Sequence, residues 1–85
     1  MDKVSDNLNK NGSFYKFNGI VECVKNHLTT EEIVSKLKAL KTDDSQIAGH
    51  SISDFSIAAL DIMGIEKYNG DDMSIMALIN SNFDF

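Results

Sequence analysis

Apolar residues recur along this chain at the spacing of one helix face, and glycines divide it into helix-length pieces. Ile20, Val21, Val24 and Leu28 follow an i, i+1, i+4, i+8 pattern, and Phe17 extends it. That stripe predicts a first helix over about 17–28. Thr29 or Thr30 then offers an N-cap, with Glu31 or Glu32 near the third helical position, the arrangement of a capping box. A second helix is expected behind it, with Ile33, Val34, Leu37 and Leu40 on its inner face. Lys36, Lys38 and Lys41 cover the other side, and Glu32–Lys36 is a favourably ordered i, i+4 pair. The lysines near its end also suit the negative helix terminus.

The segment 41–50 (KTDDSQIAGH) breaks the pattern. Beyond it, at 100° per residue, Ile52, Phe55, Ile57, Ala59, Leu60, Ile62 and Met63 occupy most of a helical circumference. Only the arc of Asp54, Ala58 and Asp61 remains polar. A helix apolar nearly all round is a central, buried one, and it is expected over about 51–63. Gly64 suits its C-terminal cap. Ile65 and Tyr68 sit in a connector that packs on the core. Asp71 or Asp72 caps a fourth helix over about 72–81, with Ile75, Met76 and Ile79 facing inward. Phe83 and Phe85 either fold back or stay exposed.

No proline and no clean four-residue β alternation interrupt this reading. The expected fold is all-α, a compact four-helix domain, either a bundle or two stacked helical hairpins. Residues 1–13 read as a flexible polar tail and residues 14–85 as the single domain, with Phe14, Tyr15 and Phe17 anchoring the tail to the core. A chain of 85 residues holds one small core, which favours a surface function over a deep active site.

Charge changes the picture most. Residues 1–41 carry seven Lys against five acids, a net of +2; residues 42–85 carry eight acids against Lys67 alone, a net of −7; together these give the −5 of the whole chain, which has no Arg. Such a half repels phosphate and attracts basic surfaces, which argues for a protein partner and against nucleic acid. The lone Cys23 excludes an internal disulfide, and no apolar run approaches the ~20 residues that span a bilayer. The N-terminus has no apolar signal core, so a cytoplasmic location away from membranes is expected.

No catalytic constellation emerges, so no enzyme activity and no cofactor are expected. Cys23 and His27 share a helix face at i, i+4, but a structural zinc site needs two further ligands. Gly49-His50-Ser51-Ile52-Ser53 lacks the second glycine of a nucleophile elbow, and Ser51 reads as a helix cap. Asn69-Gly70-Asp71-Asp72 lacks the spaced oxygens and closing Glu of a calcium loop. The sharper reading of the acids is an acidic, aromatic-edged patch for a basic partner, formed by Asp54, Asp61, Glu66, Tyr68, Asp71 and Asp72. Phe83 and Phe85 are further candidate anchors of that patch. The blander reading is a solvated face that keeps a small domain soluble.

Three resemblances add to this. From Thr30 to Gly64 the chain resembles a HEAT-type helical hairpin, with Asp43 and Asp44 at the turn and Ile52, Ile57, Ala58, Ala59 and Leu60 on the second helix. That resemblance implies flanking helices that cap the hairpin. Gly49-His50-Ser51-Ile52 resembles the phosphopantetheine-attachment motif of carrier proteins, which implies Ser51 as a modified residue. Segments 50–55 (HSISDF) and 19–27 (GIVECVKNH) resemble pieces of nuclease-colicin immunity proteins, in the opposite chain order. The leading expectation is therefore an immunity protein or similar inhibitor that covers the cationic site of a toxin or nuclease. A carrier modified on Ser51 and a plain helical adaptor or oligomer subunit are the alternatives.

Overall fold

The chain folds around one helix near its middle, and the other elements pack against it. The structure, a computed structural model, describes residues 7–8, 12–47, 49–81 and 83. Among these, four α-helices are present: α1 (Ser13–Asn26), α2 (Glu31–Ala39), α3 (Ile52–Ile62) and α4 (Met73–Ser81). A 3-10 turn, Leu40–Thr42, prolongs α2. The radius of gyration is 11.4 Å, the size of a compact chain of this length.

α1 starts four residues earlier than the apolar stripe indicates. Its stripe buries Ile20 and Cys23 and half-buries Phe17, Val21 and Val24. The aromatic anchor expected at 14–17 is only partly formed. Phe17 packs edge-on against Phe55 with ring centroids 4.9 Å apart, whereas Phe14 and Tyr15 are exposed. The helix ends on His27 in the left-handed region, φ 51°. There the Leu28 N–H donates to the Cys23 carbonyl and the His27 N–H to the Val24 carbonyl, at 2.9 and 3.3 Å. This paired closure satisfies two carbonyls that the helix end would otherwise leave open.

α2 begins on Thr30, whose hydroxyl accepts from the Ile33 N–H at 3.4 Å. The third helical position is therefore Ile33, and the reciprocal glutamate of a capping box is absent. Glu31 and Glu32 occupy the first two positions, where they complement the positive helix end. Ile33 and Leu37 are buried, and Leu40 is buried from the 3-10 turn.

The fold is mostly helical but not all-α. Gln46–Ile47 (β1) pairs antiparallel with His50–Ser51 (β2), Gln46 opposite Ser51 and Ile47 opposite His50. Strands of two residues are too short to show a period of two in sequence. Two backbone bonds join this region to the head of α3: Ile52 N–H to the Ser45 carbonyl and Ser53 N–H to the Asp43 carbonyl, both 2.8 Å.

α3 is the central helix, as its apolar circumference requires. Ile52, Phe55, Ser56, Ala58, Ala59 and Leu60 are all buried. Ala58 belongs to the core, not to the polar arc assigned to it with Asp54 and Asp61. The Phe55 ring meets Phe17, His50 and Phe83 edge-on. Ser56, the one buried polar side chain among the described residues, donates its hydroxyl to the Leu37 carbonyl. Gly64, at φ +74°, closes α3 by the same paired pattern, with Ile65 N–H to Leu60 O and Gly64 N–H to Asp61 O, both 2.9 Å. A glycine takes that conformation without steric cost.

α4 opens on Asp72, whose Oδ1 accepts from the Ser74 and Ile75 N–H groups at 2.9 and 3.3 Å. Its buried pair is Ile75 and Leu78, whereas Met76 is 44% exposed. Phe83 folds back and is buried; Phe85 lies outside the described residues. Most of the expected tail, residues 1–13, also lies outside them, but within it Leu8 is buried against Gly19 of α1.

Candidate functional site

The best-defined surface feature is built by the loop between α3 and α4. Four hydrogen bonds fix it. The Tyr68 N–H donates to Asp61 Oδ2 at 2.8 Å, which ties the loop to the last turn of α3. The Tyr68 hydroxyl accepts from the Asp72 N–H at 3.0 Å, which ties it to the head of α4. Asp72 caps α4 as described. The phenol ring lies across Gly70 so closely that a Cβ there would collide with the Tyr68 hydroxyl oxygen. Any larger residue at 70 displaces the ring.

Tyr68 stands between two open concavities. The first, about 190 Å³, lies between α3, the loop and α4 and is lined by Asp61, Lys67, Tyr68, Gly70, Met76, Ile79 and Asn80. The second, about 360 Å³, is lined by Lys41, Ile57, Glu66, Asn69 and the other side of the Tyr68 loop. Glu66 and Lys41 form an ion pair there, and the Lys41 ammonium holds the Glu66 carboxyl below its ordinary pKa.

Five of the six residues assigned to an acidic patch from sequence thus surround one loop: Asp61, Glu66, Tyr68, Asp71 and Asp72. Asp54 does not join them. It sits seven residues before Asp61 along α3, about 10.5 Å by helical rise. There its carboxylate lies 4.0 Å from His50 Nδ1. His50 Nδ1 is buried and has no hydrogen-bond partner. The patch is also less uniformly acidic than the half-chain charge suggests. Lys41 neutralises Glu66, and Lys16 of α1 pairs with Asp43. Asp71 is exposed, beside Met73 at 83% exposure.

Sequence reasoning missed Lys41, Lys67, Gly70, Ile79 and Asn80 as parts of this surface. Met76 and Ile79 carried a helical period and were readable as core. Lys41 reaches Glu66 across 25 residues, which no local pattern signals.

The other candidates resolve simply. Cys23 is fully buried and His27 is exposed at the end of α1, so they do not form a metal pair. Among the described residues, no three His, Cys, Asp or Glu side chains gather to hold a metal ion. Ser51 caps α3: its hydroxyl accepts from the Asp54 N–H at 3.2 Å and lies 2.7 Å from the Ser53 hydroxyl. Among the described residues no helix is long and apolar enough to cross a membrane. No protein-family model, curated protein or solved structure matches the chain.

Proposed function

We propose that this chain is a small acidic protein-binding module of the cytoplasm. In this reading it is an immunity protein or inhibitor that neutralises a basic partner, a toxin or nuclease, by covering its cationic site. The carrying observation is the Tyr68 loop, a fixed surface where exposed carboxylates adjoin exposed apolar side chains. Asp71 and Asp72 stand beside Met73 and Met76, the latter two 83% and 44% exposed. The carboxylates steer a cationic partner and fix its register. The methionines supply adaptable apolar contact area. The Asp61–Tyr68–Asp72 hydrogen bonds hold the loop in place before binding, which lowers the ordering cost.

The test is capture of partners from the native host by the wild-type chain and by Asp71→Lys, at low and high salt. Asp71 is chosen because it is exposed, whereas Asp72 caps α4 and Asp61 holds the loop. The expected result is one basic protein, lost at high salt and lost in the variant. A partner retained under both conditions overturns the mechanism and supports a helical adaptor. Ser51 at the head of α3 supports the second reading, a carrier modified on that hydroxyl. A phosphopantetheine mass increment abolished by Ser51→Ala would establish it.

A further inference from the structure

We propose that the concavity between the end of α3, the Tyr68 loop and α4 is a socket for a single arginine side chain of the basic partner. This rests on the inhibitor reading and adds to it the chemistry of one contact. Its volume of about 190 Å³ is several times the ~30 Å³ share of one water. It falls short of the roughly 300–1,000 Å³ of sites for cofactors and drug-sized ligands. A side chain is the occupant of the right size.

The lining selects which side chain. Met76, Ile79 and the Tyr68 ring form apolar walls that suit an aliphatic stem. Asp61 supplies a carboxylate, and Asn80 an amide, among those walls. Asp61 Oδ2 already accepts one bond from the Tyr68 N–H. A carboxylate has about four acceptor sites, so it retains capacity for a cation. A guanidinium presents five donors in a plane and stacks on an aromatic ring, and Tyr68 provides that ring. Asp71 and Asp72, exposed on the same loop, add to Asp61 and favour a cation over phosphate or carboxylate occupants. Lys67, also in the lining, is the opposing charge. It weakens the socket for any incoming cation, so its removal tightens binding.

The probe is the peptide acetyl-Gly-Arg-Gly-amide, titrated into the full-length 15N-labelled chain, with the citrulline peptide as its neutral isostere. The expected result is saturable shifts at the Tyr68, Gly70 and Asn80 amides, with the citrulline peptide binding about tenfold more weakly. Asp61→Asn keeps an acceptor for the Tyr68 N–H, so the loop is retained while the charge is lost; it weakens arginine binding about tenfold. Lys67→Gln strengthens binding by about twofold to threefold, as removal of one exposed like charge allows. Equal binding of the two peptides, wild-type affinity in Asp61→Asn, or shifts spread over the acidic residues at large would overturn the socket. If the peptide fails while Asp71→Lys still abolishes capture of a basic partner, the socket falls and the inhibitor reading stands. If the peptide binds as described and capture is insensitive to salt and to Asp71→Lys, the inhibitor reading falls and the socket stands.

Discussion

Lys16 and Asp43, 27 residues apart, form an ion pair that fastens the first turns of α1 to the segment leading into β1. Both side chains are mostly shielded, at 15% and 16% exposure. Asp43 Oδ1 also accepts from the Ser45 N–H at 2.9 Å. The Lys16 ammonium above all, aided by Ser45 and opposed by burial, lowers the Asp43 pKa from 3.8 to about 2.

Acid should therefore loosen this junction. A carboxyl whose folded-state pKa is depressed contributes stability that is fully present above its unfolded value. That contribution is lost as pH falls from about 4 towards 2. At about 1.4 kcal/mol per unit, discounted for nearby solvent, it amounts to roughly 1–2 kcal/mol. Asp43→Asn should flatten the stability–pH curve below pH 4 by that amount, measured by urea unfolding at several pH values. An unchanged curve would remove the pair from the stability account.

The two helix ends closed in the same way differ in residue type, and this gives opposite predictions. His27 pays for a left-handed backbone that glycine adopts freely, at φ 51°. His27→Gly should raise stability by about 0.5–1 kcal/mol, or a few degrees in Tm. Gly64→Ala, at φ +74°, should lower it by about 1 kcal/mol. Thermal unfolding followed by circular dichroism reads both.

Ser56 is fully buried and joins α3 to the Leu37 carbonyl of α2. Ser56→Ala removes that bond and should cost about 1 kcal/mol. Ser56→Val adds volume against the α2 backbone and should cost 1–3 kcal/mol more, about the penalty of overpacking. A valine variant as stable as the alanine one would mean that α2 and α3 are not in close contact at this point.

Leu8 is a core residue, so Leu8→Ala should destabilise by about 2–3 kcal/mol. A Cβ on Gly19 would lie 2.9 Å from Leu8 Cδ2, so Gly19→Ala should displace the same side chain. The double variant should cost less than the sum of the singles, because both act on one contact. Strict additivity in denaturant titrations would show that Leu8 does not rest on Gly19.

How much of this was legible depends on the range of the interaction. α3 was readable to within a residue at each end because apolar density, the Ser51 cap and Gly64 are all local signals. Asp72 as the cap of α4 was readable for the same reason. The Leu8 contact was hidden, since one leucine among polar residues has no period to reveal it. Ala58 was misplaced because its neighbours Asp54 and Asp61 share its arc, yet a small side chain lets another element approach closely. The site was half legible. Tyr68, Asp61 and Asp72 lie within one stretch of chain, whereas Lys41–Glu66 and Lys16–Asp43 cross between the basic and acidic halves. These crossings convert a strong segregation along the sequence into a weaker one in space.

The central place of α3 also governs how the chain comes to be made. α1 and α2 precede it and pack chiefly against it. Their stripes of Ile20, Ile33 and Leu37 find most of their cover on α3, so neither helix is fully buried until that segment is in place. Folding of this domain is then a late event set by the arrival of one segment. A variant whose α3 cannot dock would leave both stripes open to chaperones, proteases and its own kind.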